Sequence, residues 1–521
     1  MTPESAADEC LTVPGCLEWT SSFFPEEIAL ADEGRCIRYR ELDDNTRAAA
    51  SCLLSRWVSP GDKVAVIGEN SAAHMQVLYS VFRSGCCLVP LSTFLSSEAA
   101  ARILDDADVQ LVIAGGDYLN AAQKAIGLCR AKPNLIGLDE LELAAQAQPL
   151  ISLPDIDPST DAIIVYSSGT TGTPKGIVGS HALRALQTKG FAALGAEPGR
   201  YTLLSTPLAS NWTLAGLFST LWNGGAVYIA RRFRALAFIG LAEQLQPKIT
   251  FLVPTQIERL LEQSNLAEAC LAEDCIKLCA GSPIAPDKKL AFHRTWPGSF
   301  IEIYSMTEST VTCSLDVGQH PDKARSVGVP AEGYRIAILG DDDRELPPGE
   351  VGEIAGWSQY MMKAYFKRET ATAELRWAHP DGTIFHRTGD LGFLDSDGFL
   401  HISGRKKDMI ITGGFNVYPS DLEAVLCSHP QVKEAAVIGL PCPRWGETPF
   451  AVITCRDPDT VTRSELLEWA NGHLGKTQRL SGLDIVEGLP RGSLQKVLKA
   501  ELRRTYAATE QDAPVQETQN M

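Results

Sequence analysis

Short apolar runs separated by helix-length stretches repeat along the first 310 residues: Val64-Ala-Val-Ile67, Leu111-Val-Ile-Ala114, Ala162-Ile-Ile-Val165, Ile249-Thr-Phe-Leu-Val253 and Phe300-Ile-Glu-Ile303. Runs this short and this continuously apolar suit strands buried on both faces, and parallel strands need crossovers of helix length. The alternation predicts an α/β fold of doubly wound, mostly parallel sheets, with helices on both faces and ligands at the carboxyl ends of the strands. From about Val327 to His401 the rhythm changes to short runs punctuated by Gly340-Asp-Asp-Asp343, Pro347-Pro-Gly349, Asp381-Gly382 and Asp397-Gly398. Those turn signals predict a small antiparallel, β-barrel-like unit. After Gly404-Arg-Lys-Lys-Asp408 a compact mixed α+β segment follows, with helices expected near Ser420 to Ser428 and Arg463 to Leu474. The chain thus divides into 1–404, a basic connection at 405–408, a small domain at 409–505 and a tail at 506–521, whose Gln, Glu, Thr and Ala content predicts disorder.

With 521 residues and 45% apolar content, more than one core can be buried. A net charge of −17 argues against a nucleic-acid partner, whose phosphates such a surface repels. Met1 to Cys10 offers neither a basic nor an apolar leader region, and no run is long enough to span a bilayer, so the expected compartment is the cytoplasm. The fourteen cysteines include no C-x-x-C pair. Cys270, Cys275 and Cys279 lack a histidine or acidic partner at ligand spacing, so buried thiols are expected in place of a zinc site.

The Ala162 to Val165 run empties into Tyr166-Ser-Ser-Gly-Thr-Thr-Gly-Thr-Pro-Lys-Gly176. Small residues let backbone N–H groups approach a polyphosphate, Ser167, Ser168, Thr170 and Thr171 add hydroxyls, and Lys175 adds a positive charge. A Gly/Ser linker is the bland alternative, but a linker does not ordinarily end in Thr-Pro-Lys-Gly after a core strand. The spacing differs from the common P-loop, whose lysine is followed by Ser or Thr.

This loop resembles that of the adenylate-forming superfamily of acyl-CoA synthetases, adenylation domains and luciferases, which make an acyl-adenylate from ATP and a carboxylic acid. The resemblance extends from about residue 20 to 505 and implies a large N-terminal domain with a mobile C-terminal lid. It assigns ATP to Ser167, Ser168, Gly169, Thr170, Thr171, Gly172 and Lys175, with Gly281 contributing from Leu278-Cys-Ala-Gly-Ser-Pro283. Ile303-Tyr-Ser-Met-Thr-Glu308 resembles the YGxTE motif: Tyr304 stacks on adenine, Thr307 meets phosphate, and Glu308 is a hard oxygen ligand for Mg²⁺ riding on ATP. A solvated loop carboxylate is the alternative for Glu308.

Phe385-His-Arg-Thr-Gly-Asp390 resembles the RTGD signature, making Asp390 the acceptor for both ribose hydroxyls, against the alternative of a turn aspartate capping Gly389. Arg405 is implied to contact ribose or phosphate, with Lys407 at the pivot. Leu489-Pro-Arg-Gly-Ser-Leu-Gln-Lys-Val497 resembles the segment whose lysine, here Lys496, reaches the substrate carboxylate and the α-phosphate. Gln495 departs from the usual glycine. Lys496, Thr170 and Glu308 are the residues implied in catalysis. Ile410-Ile-Thr-Gly-Gly-Phe-Asn-Val-Tyr-Pro419 resembles the loop that lines the pantetheine tunnel once the lid has rotated, with Gly413 and Gly414 at its narrowest part.

The acyl pocket is expected at Ser210, Asn211, Trp212 and Ser305. Ser305 stands where most relatives have glycine, and no histidine follows Thr206-Pro-Leu208. The bulk of Trp212 favours a short-to-medium or compact ring-bearing acid, although Trp212 could equally be core. The resulting expectation is an ATP-dependent carboxylate–CoA ligase using Mg²⁺, with a carboxylic acid and CoA as small-molecule partners and a homodimer as a candidate assembly. A stand-alone enzyme loading a carrier protein and an idle acyl-adenylate-binding protein are the alternatives.

Overall fold

The structure, a computed structural model, describes residues 10–147, 149–167, 175–192, 195–457, 460–491 and 497–511. The chain forms two compact units, residues 1–335 with 356–386 and residues 336–355 with 387–521.

In the first unit a nine-stranded sheet has the order Val329–Pro330, Thr312–Asp316, Phe300–Ser305, Ile276–Cys279, Ile249–Leu252, Tyr201–Leu204, Ala226–Ile229, Ile28–Ala31 and Cys36–Arg38. From Phe300–Ser305 to Ile28–Ala31 the neighbours are parallel, and the strands beyond them pair antiparallel. A seven-stranded sheet runs Ala364–Tyr365, Lys175–Ser180, Asp161–Ser167, Cys87–Leu91, Lys63–Ile67, Val109–Ala114 and Asn134–Gly137. It is parallel from Asp161–Ser167 onward and antiparallel at the other end. Each apolar run singled out in the sequence lies in one of these parallel stretches, as the alternation predicts.

Helix Ala72–Arg83 shows why the helices sit where they do. Ser71 caps it by accepting from the His74 N–H, and Met75, Leu78, Val81 and Phe82 are fully buried. Each such side chain contributes roughly 1.5–3 kcal/mol on burial. Met75, Leu78 and Phe82 share one core with Val64, Val66, Leu204, Phe251 and Ile303, so strands of both sheets pack on the same apolar mass. Beneath the end of Phe300–Ser305, Lys289 and Glu302 form an ion pair with both side chains nearly inaccessible. Burial raises the Glu302 carboxyl pKa against the opposing pull of Lys289.

In the second unit the strands Val432–Cys442 and Gly446–Cys455 form a long antiparallel pair. Gly482–Ile485 adds in parallel, and Ile410–Thr412 with Phe415–Val417 completes the sheet. The two expected helices are present as Pro419–Cys427 and Arg463–His473. The turn-rich segment is antiparallel, with Asp390 to Leu394 pairing along Leu400–Arg405. The compact units place residues 336–355 and 387–404 with the C-terminal segment, a different partition from the 404/405 boundary read from sequence.

Helix Lys499–Gln511 runs past residue 506, into the segment read from sequence as tail. Tyr506 anchors it, its ring 5.0 Å from that of Phe450 and its hydroxyl donating to Asp484 Oδ2 at 2.6 Å. Composition misses this because one aromatic contact outweighs a polar sequence around it. Residues 512–521 lie outside the described residues.

None of the fourteen cysteines is in a disulfide. Among the described residues no helix is long and apolar enough to cross a membrane.

Candidate active site

Residues 168–174 lie outside the described residues, and with them Ser168, Gly169, Thr170, Thr171 and Gly172. On either side of this segment, Ser167 pairs with Lys175 and Tyr166 with Gly176 across antiparallel strands. At Gly176 a Cβ would lie 2.6 Å from Ile164 Cγ2 and 3.0 Å from the Tyr166 ring, so packing alone demands glycine there. Tyr166 in turn donates to Asp106 Oδ2 at 2.7 Å.

Lys175 places its ammonium 4.9 Å from the centroid of the Tyr365 ring. The Tyr365 hydroxyl donates to Glu308 Oε1 at 2.8 Å. Lys175, expected from the sequence to meet phosphate, and the candidate metal ligand are therefore joined through one aromatic side chain. Sequence reasoning missed Tyr365, because a two-residue strand leaves no alternation to read. Glu308 is held by its backbone as well, its carbonyl accepting from the Met362 N–H at 2.9 Å. The next residue, Ser309, has φ +54. Its N–H donates to Met306 O at 2.9 Å, its carbonyl accepts from Ser358 Oγ at 2.6 Å, and its hydroxyl accepts from Gln187 Nε2 at 3.2 Å. Left-handed backbone in a non-glycine residue costs about 1–2 kcal/mol and persists where the surroundings hold it.

Tyr304 and Thr307 are half-buried at the same strand end, and Ser305 is exposed with its hydroxyl 2.9 Å from Thr312 Oγ1. Gly281 has φ +105 with Val253 Cγ1, 3.7 Å from a built Cβ, as its nearest neighbour, so backbone geometry and not space selects glycine. Of the pocket residues, Ser210 caps helix Asn211–Trp222 by accepting from the Trp212 N–H. Trp212 donates its indole N–H to Leu252 O at 3.1 Å and tilts against Phe251, the core role that the sequence left open. Asn211 Oδ1 is buried and has no hydrogen-bond partner among the described residues.

In the second unit Asp390, only 5% exposed, forms an ion pair with Arg405, Oδ1 to Nε 2.7 Å, across directly paired strand positions. Its own N–H donates to Thr388 Oγ1 at 3.0 Å, and that hydroxyl donates to Ile354 O at 2.8 Å. Asp390 is thus a strand residue paired with an arginine, where the bland reading had a cap for Gly389. Lys407 is exposed within a short turn of helix, flanked by Lys406 bonded to Glu353 at 2.8 Å and Asp408 bonded to Arg503 at 2.8 Å.

Gly413 and Gly414 have φ +58 and +84. A Cβ on Gly413 would lie 3.0 Å from the exposed Trp445 ring, which Arg444 covers at 4.7 Å, whereas Gly414 faces open space. Lys496 and Gln495 lie outside the described residues. A cavity of about 470 Å³ in this unit, between Leu440, Phe450 and Tyr506, contains none of the expected site residues.

The donor set bears on Mg²⁺. Among the described residues no group of three or more His, Cys, Asp or Glu side chains could cage a metal ion. Glu308 offers a single carboxylate, one oxygen taken by a neutral phenol. That fits a hard cation that keeps its other ligands from phosphate and water.

Two family profiles match the chain: AMP-binding enzyme over residues 17–366 and the AMP-binding enzyme C-terminal domain over residues 421–496. The chain belongs to the AMP-binding enzyme family. At that level it is an adenylate-forming acid–thiol ligase. It is 31% identical over 488 residues to a feruloyl-CoA synthase of an Amycolatopsis species, covering 92% of this chain and 96% of that one. It is 29% identical to the fatty acid–[acyl-carrier-protein] ligase ScoC of Streptomyces coeruleorubidus, covering 92% and 94%. Among solved structures, the o-succinylbenzoate CoA synthetase of Bacillus subtilis, in complex with its acyl-adenylate intermediate, superposes with a TM-score of 0.83 at 28% identity, covering 94% and 97%.

Proposed function

We propose that this enzyme activates a short-to-medium or compact ring-bearing carboxylic acid with ATP and transfers the acyl group to CoA. The carrying observation is the Lys175, Tyr365 and Glu308 connection at the end of strand Phe300–Ser305. In the first half-reaction the substrate carboxylate attacks the α-phosphorus and pyrophosphate leaves. The loop hydroxyls of Ser167, Ser168, Thr170 and Thr171, the glycines Gly169 and Gly172, and Lys175 hold the polyphosphate. Tyr304 and Gly281 receive adenine, Thr307 meets phosphate, and Asp390 with Arg405 receives the ribose. Lys496 neutralises the charge that develops between carboxylate and α-phosphate, a role whose loss costs several kcal/mol of barrier. Glu308 is the protein ligand for Mg²⁺, which when bound neutralises phosphate oxygens.

In the second half-reaction the CoA thiol attacks the adenylate carbonyl and AMP departs. The domain boundary at 404/405 and the hinge at 405–408 belong to this reading: rotation about Lys407 withdraws Lys496 and brings Gly413 and Gly414 to the pantetheine. Trp445, packed over Gly413, would wall the same passage. The feruloyl and succinylbenzoyl chemistry in the names of two relatives supports a ring-bearing acid. Ser210, Asn211, Trp212 and Ser305 line the acyl pocket in this reading, with Ser210 capping the helix that carries Asn211, and Trp212 held by its indole N–H on Leu252 O.

A carrier protein in place of CoA is the second reading, favoured by the likeness to ScoC. Pyrophosphate release across acids from acetate to palmitate, benzoates and alicyclic acids, with and without CoA, tests both. CoA-dependent turnover with an optimum among short or ring acids is expected. A palmitate optimum overturns the pocket argument, and adenylate that accumulates regardless of CoA selects the carrier reading.

A further inference from the structure

We infer that Tyr365 is a positioning residue for the adenylation half-reaction, orienting the Glu308 carboxylate toward the ATP-borne cation. The inference rests on the reading of Glu308 as that cation's ligand. Segment 358–366 surrounds Glu308 from one side: Ser358 holds the carbonyl of Ser309, Met362 holds the carbonyl of Glu308, and Tyr365 holds its carboxylate. Tyr365 is 7% exposed and cannot swing away. Its N–H donates to Thr372 Oγ1 at 3.0 Å, and its strand lies antiparallel to Lys175–Ser180, with Tyr365 opposite Ile177. Phe366 donates to Gly176 O at 2.7 Å, tying the same segment to the root of the phosphate loop.

A phenol suits this place for a specific reason. As a neutral donor it fixes one carboxylate oxygen without cancelling the charge, so the other oxygen keeps its full attraction for a cation. A lysine or arginine in the same place would compete with the metal. The ring face meanwhile stabilises the Lys175 ammonium, 4.9 Å from its centroid. Hydrogen-bond partners of metal ligands typically account for 10- to 100-fold in metal affinity.

The test is calorimetric titration of ATP into the enzyme with Mg²⁺ and with EDTA; the ratio of the two dissociation constants reads the coupling. Tyr365→Phe keeps the ring over Lys175 and removes only the hydroxyl. It should reduce the coupling about tenfold, leave affinity for metal-free ATP unchanged, and have no further effect in a Glu308→Gln background. Coupling unchanged in Tyr365→Phe but lost in Glu308→Gln reduces Tyr365 to packing and overturns the inference. Coupling retained in both removes Glu308 as the metal ligand, which is failure of the underlying reading. If Tyr365→Phe does not fold, Thr372→Val frees the Tyr365 N–H instead. A drop in coupling there supports the inference, and none overturns it.

Discussion

Two carboxylates stand at the heart of the proposed chemistry, and the fold treats them oppositely. Glu308 has its carboxylate held by a neutral phenol and its carbonyl by the Met362 amide, and among the described residues no ion pair balances its charge. Asp390 meets a guanidinium across its own sheet, so its charge is already balanced. The difference matches what each is proposed to bind. A cation needs an uncompensated anion, whereas a ribose diol offers only neutral donors and would leave a buried lone carboxylate costly.

Exchanging each carboxylate for its amide tests the contrast. Glu308→Gln should lower acid-dependent pyrophosphate exchange roughly 100-fold, partly restored by raised Mg²⁺, with little change in melting temperature. Equal loss at every Mg²⁺ concentration would break the distinction. Asp390→Asn should cost less activity, about a tenfold rise in the KM for ATP, but should destabilise by about 1–2 kcal/mol, because Arg405 loses its partner while remaining about a third exposed. Denaturant unfolding of the two variants side by side would read this, and equal stabilities would argue against a structural ion pair.

A smaller effect is expected at Gly414, where only backbone conformation demands glycine. Gly414→Ala should slow thiolysis of supplied acyl-adenylate a fewfold, at about 1 kcal/mol of local strain, and spare adenylation. If adenylation falls as far, the division of labour between the two loops is wrong. The mildest expectation concerns pH. Burial lowers the pKa of His74 and of His181 to about 4. The unfolded chain therefore takes up protons first, so stability present above about pH 6.5 should decline as pH falls toward 4. A melting temperature flat across that window would contradict it.

What could be read in the sequence divides along the same line. The parallel strands are legible because each is a local apolar run, and Glu308 and Asp390 are singled out only by motif resemblance, one just past a strand end and the other within a strand. Their partners are not. Tyr365 comes from a two-residue strand closing on residues far earlier in the chain, and no periodicity marks it. The pairing of Asp390 with Arg405 depends on register, which sequence leaves unstated. Trp212 is visible in the sequence as bulk, but its contact with the Phe251 ring depends on packing that the sequence leaves unstated. Tyr506 extends a helix into what composition reads as tail.

The left-handed backbone at Ser309 sets a rule for mutational tolerance. In a library randomised at that codon, active clones should be sorted by backbone geometry before side-chain chemistry. Glycine, asparagine and aspartate should survive, while valine and isoleucine, otherwise harmless in size, should vanish. The residue that touches nothing reactive would then be among the most restricted in this stretch of chain.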